Sequence, residues 1–167
     1  MSRALLVIFV LAATAGAVLS YGDPREIAKA STVVSGMFRK QPARMAQISR
    51  GQSGEFALRA TINGVSAPMV VDTGATSVVL TFETAKAAGL PLELLDYDVA
   101  VETAGGHTRA ARLTLDRLAI GSLVERSVPA LVVPRGQMKT NLLGMSFLDR
   151  LESFEVRADR LMLRGYP

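Results

Sequence analysis

One acidic triplet stands out among the residues that could do chemistry. Asp72-Thr73-Gly74 follows the apolar stretch APMVV and leads into a second apolar run. This setting is typical of acid–base hydrolysis, in which two carboxylates about 3 Å apart share one proton. One carboxylate then activates a water while the other acts as the acid. The chain contains the triplet once, so a second carboxylate must come from elsewhere.

The neighbours of the aspartate suit such a pairing. Gly74 allows the backbone to turn sharply and to approach a partner closely. The Thr73 hydroxyl can bond across the pair, and Ala75 is small enough not to obstruct it. Short triplets recur by chance, however, and the triplet taken alone favours an ordinary turn at the end of a strand.

Other polar residues offer weaker alternatives. His107 is the only histidine and cysteine is absent, which excludes a multi-histidine site within one chain, thiolate catalysis and disulfides. A serine, histidine and aspartate triad is disfavoured because only His107 could serve as its base. We interpret His107 as a solvated hairpin residue, with a contact that tunes the pH response as the alternative. The pairs Asp96/Asp98 and Asp149/Glu152 are interpreted as solvated faces.

Short strands must position the triplet. Residues 55–62 alternate between apolar and polar side chains, which predicts a half-buried strand. Asn63-Gly64 is a strong signal for a tight hairpin turn. The return strand, residues 65–71, runs directly into Asp72.

The rest of the chain continues this pattern. Thr81 is predicted to cap a short helix over residues 82–88 that Gly89 ends. Two alternating arms surround the glycine turn at residues 104–106 and predict a second hairpin. Further short strands are predicted at residues 77–80, 118–120, 123–128, 130–133, 154–156 and 161–163. Many short strands with one or two short helices indicate an all-β, barrel-like domain, and no internal repeat supplies a second triplet.

The N-terminus carries a different kind of segment. Arg3 precedes an uncharged and mainly apolar run from Ala4 to Gly22. A run of about 19 residues approaches the minimum for crossing a bilayer as a helix. We interpret residues 1–22 as a transmembrane anchor. A cleaved signal peptide is the alternative, because Ala13-x-Ala15 is a candidate cleavage site.

Residues 23–50 are predicted to form a stalk helix and a basic linker that lead to a domain at residues 51–167. Asp23-Pro24 has the form of a helix start. The basic residues after the apolar run favour the cytoplasm for that side, whereas Arg3 and the very short tail oppose it. We favour an inner-membrane protein whose domain lies on the periplasmic side.

Composition gives little support to other partners. The chain has 19 Lys and Arg against 15 Asp and Glu, a formal net charge of +4. These charges are spread along the sequence, without a basic block rich in aromatic residues, so a nucleic-acid partner is not supported. With 49% hydrophobic residues, the chain has enough apolar side chains to form a compact core.

Three motifs together resemble the retropepsin family, and more closely its bacterial membrane-anchored members with a single lobe. They are MVVDTGAT, the glycine hairpin Ala104-Gly105-Gly106, and NLLGMSFL nearer the C-terminus. The resemblance covers roughly residues 54–163. It implies a single-lobed acid-protease barrel in which Leu142-Leu143-Gly144 packs beside the Asp72 loop and leads into a short helix at residues 145–151. It also implies that the glycine hairpin is a flap that closes over an extended peptide.

The resemblance also implies an activity and an assembly. Single-lobed members work as homodimers, so the second carboxylate would be Asp72 of another copy, on the two-fold axis. The expected protein is an aspartic endopeptidase that cuts extended segments of membrane or exported polypeptides without a metal or organic cofactor. Such dimers are often tied by a sheet of chain termini, to which residues 161–163 could contribute, while the N-terminal linker offers no clear strand partner. The alternatives are a catalytically silent dimerisation or peptide-binding module and a monomeric barrel.

Overall fold

The computed structural model describes residues 44–103 and 106–167. The predicted anchor or signal segment and the stalk helix lie outside these residues. Within them, no helix is both long enough and apolar enough to cross a bilayer.

The described residues form ten strands and two short α-helices. The strands are β1 (Met45–Ser49), β2 (Ala57–Ile62), β3 (Val65–Val71), β4 (Val78–Leu80), β5 (Val99–Thr103), β6 (Gly106–Ile120), β7 (Leu123–Val132), β8 (Asn141–Leu143), β9 (Ser153–Arg157) and β10 (Arg160–Arg164). The helices are α1 (Phe82–Ala87) and α2 (Met145–Leu148), and Leu92–Leu94 form one turn of 3-10 helix. The predicted all-β class with short helices is confirmed.

Seven of the strands form the main sheet, in the order β2-β3-β8-β4-β7-β6-β5. β2 also pairs with β6, through Thr61↔Ala119 and Ile62↔Leu118, and this pairing closes six strands into a barrel. β3 runs parallel to β8, and β4 runs parallel to β7. β5 stands outside the ring and pairs with β6, so the β5–β6 hairpin is an arm of the barrel.

Local sequence explains the first hairpin and the first helix. Asn63 and Gly64 have φ angles of 48° and 96°, the left-handed conformation that a two-residue hairpin turn needs at both positions. The Oγ1 atom of Thr81 accepts a hydrogen bond from the Thr84 N–H at 3.2 Å and caps α1. The predicted turn and helix start are therefore confirmed, and α1 ends one residue before the predicted end.

Three predictions of element length were wrong. β6 is one strand across the predicted break at residues 116–117, because its pairing with β7 keeps the same register from Leu115↔Val128 to Leu118↔Glu125. β7 is likewise continuous across the predicted gap at Pro129. The helix predicted at residues 145–151 ends at Leu148. The Asp149 N–H still bonds four residues back, but those of Arg150 and Leu151 bond three residues back.

A second, three-stranded sheet has the order β1-β10-β9. Residues 45–49, predicted as the end of the linker, form β1, in which Ala46 pairs with Leu163 and Ile48 with Leu161. The prediction that the linker offers no strand partner was therefore wrong. Only two small or apolar residues of β1 face inward, too few for a periodic signal, and the partner strand lies near the far end of the chain.

The core fills the barrel and is closed by α2. The largest fully buried side chains include Ile62, Met69, Leu80, Leu115, Leu118 and Phe147. Asn141 is buried at 2% exposure and is satisfied on both sides: its Oδ1 accepts from Thr81 N at 2.9 Å and its Nδ2 donates to Pro68 O at 2.7 Å. Because a buried amide costs stability unless bonded, this pair of bonds fixes β8 between β3 and the start of α1.

Candidate active site

Asp72 is the first residue after β3 and is half-buried. Its N–H donates to Leu143 O at 3.1 Å, which continues the parallel pairing of β3 with β8 beyond Val71↔Leu143. The barrel thus fixes the backbone at which the catalytic candidate begins.

Two backbone N–H groups of the loop after Asp72 hold this residue in place. The Gly74 N–H donates to Asp72 Oδ1 at 2.9 Å, and the Ala75 N–H donates to the Asp72 carbonyl at 3.3 Å. A Cβ atom on Gly74 would lie 3.2 Å from Oδ1, closer than most side chains tolerate. Thr73 is exposed, so its hydroxyl is available at the protein surface.

Gly144 allows α2 to begin directly against this loop. A Cβ atom there would overlap Ser77 O and lie 2.7 Å from Ala75 O, so a larger residue would displace backbone. The next N–H, of Met145, donates to Ala75 O at 2.8 Å. The structure therefore brings the Asp-Thr-Gly loop and the Leu142-Leu143-Gly144 segment into direct contact.

Ser146 completes this packing and was not identified from the sequence. Its N–H donates to Thr76 O at 3.1 Å. Its Oγ accepts from Val78 N at 2.8 Å and donates to Pro129 O at 2.7 Å. The Ser146 hydroxyl thus joins β4 to β7, and the backbone N–H of the same residue bonds the loop. The only signal for it in the sequence is its place within NLLGMSFL.

The predicted flap corresponds to the tip of the β5–β6 hairpin. The two strands remain paired up to Thr103↔Gly106, and Gly106 has a φ of 109°, where a side chain is strained. Ala104 and Gly105 lie outside the described residues. Val101 is half-buried and packs against the small cluster of Leu131 and Val133, so this arm rests on the barrel beside the site.

The other polar candidates lie on exposed surfaces. His107 pairs with Glu102 across the hairpin, and both are exposed. Because strand side chains alternate, they lie on the face opposite Val101. The members of both acidic pairs, Asp96/Asp98 and Asp149/Glu152, are exposed as well.

A cleft of about 610 Å³ lies between the Asp72 loop and the hairpin. Its apolar lining comes from separate strands and from the loop after β7: Val79, Val101, Leu131, Val133, Met138 and Leu142. Its polar lining includes Asp72, Thr76 and Gln137. An apolar cleft with a few polar groups is the usual form of a ligand site.

The arrangement supplies one acid–base group at the edge of an apolar cleft. Among the described residues that line it, the only other carboxylate belongs to Glu102, whose side chain lies on the outer face of the hairpin. A second carboxylate close to Asp72 is therefore not provided by the described part of this chain.

Comparison with known proteins identifies a protein family and several relatives of this chain. The family model of the gag-polyprotein putative aspartyl proteases matches residues 58–150. An uncharacterized protein of Sinorhizobium sp., described by its position in the cobV 5′ region, is 41% identical over 112 residues, which is 67% of this chain and 48% of that protein. The chain spans about half the length of the curated relatives it matches.

Two solved structures share the fold. The crystal structure of a retropepsin-like aspartic protease from Rickettsia conorii is 33% identical, with a TM-score of 0.67, and the match covers 74% of this chain and 92% of that one. EIAV protease in complex with the inhibitor HBY-793 is 17% identical, with a TM-score of 0.51 over 66% of this chain and all of that one. At that identity the second match shows the fold alone.

Proposed function

We propose that this chain, which belongs to the retropepsin-like aspartic protease family, is an endopeptidase that acts as a homodimer. The proposal depends on one observation, the position of a single carboxylate at the edge of the cleft. Asp72 is held at the edge of an apolar cleft by Gly74 and Leu143, and the described cleft offers it no second inward carboxylate. A second copy related by a two-fold axis would supply the same aspartate.

The two carboxylates would divide the chemistry between them. Like charges this close cannot both be ionised, so the pair holds one proton. The ionised carboxylate takes a proton from a water as the water oxygen attacks the peptide carbonyl carbon. The protonated carboxyl donates to the carbonyl oxygen. Collapse of the resulting diol breaks the C–N bond: the carboxyl that took the water proton gives it to the leaving nitrogen, and a diol hydroxyl returns its proton to the other carboxylate.

The cleft favours extended polypeptide segments with aliphatic side chains next to the cut bond. Its walls are formed by Val79, Leu131, Val133 and Met138, and burial of such side chains stabilises binding. The β5–β6 hairpin is placed to close over the peptide and exclude water, as a flap does.

We further propose that the enzyme is held at the inner membrane with its protease domain on the periplasmic side. The support is the apolar run from Ala4 to Gly22 in the sequence. Confinement to a membrane would raise the effective concentration of chains and so favour the dimer. The substrates would then be membrane or exported proteins. Fractionation of cells and protease accessibility of the domain in intact spheroplasts test this placement.

The activity is tested by incubating the full chain, solubilised in detergent, with a peptide library between about pH 3 and 7. Asp72→Asn should abolish cleavage, and the exposed Asp98→Asn should retain it. A dimer that binds extended peptides but cuts none at any pH would contradict the proposal and indicate a peptide-binding module instead.

A further inference from the structure

We propose that the open edge of β9 is the surface through which two copies of the chain pair, an inference that rests on the homodimer proposed above. β9 is the outer strand of the order β1-β10-β9, and within the described residues its ladder partner is β10. An unpaired strand edge presents a row of backbone N–H and C=O groups that a second strand can complete.

The apolar face of the β1-β10-β9 sheet is buried at its β1 edge and exposed at its β9 edge. Val156 lies opposite Leu161, which is 2% exposed and faces the core. On the β1 side the same row ends with Ile48, which is 7% exposed. On the β9 side it ends with Val156, which is 54% exposed. The apolar row therefore continues past the core and stops, uncovered, at the β9 edge.

The charges that flank Val156 make the strand self-complementary. Glu155 and Arg157 lie on the other face of β9 and contact each other at 2.7 Å. An antiparallel pairing centred on Val156 sets Glu155 opposite the partner's Arg157, and Arg157 opposite the partner's Glu155. Opposite charges at directly facing positions stabilise a sheet, whereas a pairing centred on Glu155 would oppose two carboxylates. The charge pattern thus suits a second copy as the occupant and favours the register centred on Val156 over the one centred on Glu155.

The same hairpin is connected to the candidate site. The carbonyl of Asp159, in the β9–β10 turn, accepts from Arg50 N at 2.7 Å. The Arg50 guanidinium lies 4.4 Å from the ring centre of Phe56, whose carbonyl accepts from Val71 N at 2.9 Å. Val71 precedes Asp72. In a dimer that pairs through β9, these contacts would connect the interface to the Asp72 loop of each copy.

Single cysteines test the surface without background, because the chain has none of its own. Directly opposed residues of an antiparallel pair have Cα atoms about 4.5 to 5.5 Å apart, within the range of a disulfide. Full-length Val156→Cys in detergent should therefore form a reducible covalent dimer on mild oxidation. Leu94→Cys is the matched control, since Leu94 is 78% exposed and lies on the 3-10 turn.

A third variant tests the register. In the proposed pairing the two Glu155 Cα atoms would be about 8 Å apart, too far for a disulfide without movement. Glu155→Cys should cross-link at least about tenfold more slowly than Val156→Cys. Faster linkage at position 155 would overturn the register. A chain that sediments as a dimer yet links at neither position would overturn the surface, and so would a chain that stays monomeric at all concentrations.

Charge exchange provides an independent measurement. Glu155→Arg places like charges opposite each other twice and should raise the dimer Kd about tenfold. The double exchange Glu155→Arg with Arg157→Glu restores the complementarity and should return the Kd to near its original value. A double variant as weak as the single one would contradict the proposed pairing.

The same samples separate this inference from the proposed function. A covalent Val156→Cys dimer that cleaves no peptide would support the interface and count against the endopeptidase. An active dimer that does not link at Val156 would support the endopeptidase and overturn the interface. Cleavage by the covalent dimer, lost on adding Asp72→Asn, would support both.

Discussion

The Asp72 loop and the edge strand β9 differ in how many of their backbone groups have partners within a single chain. In the loop, N–H groups of Asp72, Gly74 and Ala75 all have partners within the chain, and the start of α2 packs directly against it. In β9, one edge has no partner strand among the described residues, and Val156 is 54% exposed. One chain thus fixes the backbone of the candidate loop by itself, while the surface proposed for assembly is left for a second copy. Changes in the loop should affect each folded chain, whereas changes at the edge should affect association alone.

Asp72→Asn should give the largest effect. Replacing the carboxylate removes the only inward acid–base group among the described residues of the cleft, so kcat/KM for a cleaved peptide should fall at least about a thousandfold. The dimer Kd should change little, because Asn keeps the size of the side chain at the two-fold axis and leaves the pairing of β9 unchanged. Peptide cleavage and sedimentation of the same sample make the comparison. Equal loss of cleavage and of dimer would contradict the separation of the two regions.

Gly144→Ala should give the largest effect on stability among the changes in and around the Asp72 loop. The added Cβ would overlap the Ser77 carbonyl, which is backbone and cannot rotate away, and such overpacking costs about 3 kcal/mol. Denaturant unfolding at equal chain concentration measures this cost, since dimerisation itself shifts apparent stability. Gly74→Ala is the graded control and should cost less, because its nearest contact would be a side-chain oxygen at 3.2 Å.

Ser146→Ala should have an intermediate effect. It leaves the Val78 N–H and the Pro129 carbonyl without their partner, at a cost of about 1 to 3 kcal/mol. Because the hydroxyl ties β4 and β7 to the start of α2, whose N–H groups bond the Asp72 loop, kcat should fall more than KM rises. Ser146→Thr keeps the hydroxyl and should recover part of kcat. A variant that loses stability but keeps the full kcat would show that the residue supports the fold alone.

Val156→Thr should give the smallest effect on the folded chain. The side chain is already more than half exposed, so the unfolding free energy measured below the dimer Kd should change by no more than about 0.5 kcal/mol. Leu161→Ala, at the buried position opposite it, should cost about 2 to 5 kcal/mol. Equal costs at the two positions would mean that the β9 edge is already covered within one chain.

Local signals in the sequence predicted much of the fold. The turn at Asn63-Gly64 and the cap at Thr81 depend on neighbouring residues alone, and both are present as predicted. β1 was missed because a short strand with two inward side chains carries little periodic signal and is stabilised by β10. The break predicted in β6 failed for a similar reason, since the partner strand β7 supports Asp116 and Arg117 in extended backbone.

The residues of the candidate site also fall into two groups, those that lie in contiguous motifs and those that the fold brings together. Asp72 and its neighbours form a contiguous motif, and Gly144 belongs to a second one, so both were visible in the sequence. The residues that form the walls of the cleft were not predicted, because Val79 and Met138 are distant in sequence and are brought together by the barrel topology. Ser146 was missed because its three bonds reach partners that are distant in sequence.

The position of β10 between β1 and β9 has a consequence for biosynthesis. β1 is among the first described strands to leave the ribosome, and its partner, ending at Arg164, is the last. At about 5 to 20 residues per second, the early strand waits several seconds before it can pair. The three-stranded sheet, and with it the proposed edge at β9, therefore forms only after Arg164 has left the ribosome. Two nascent chains could not pair through β9 before that point.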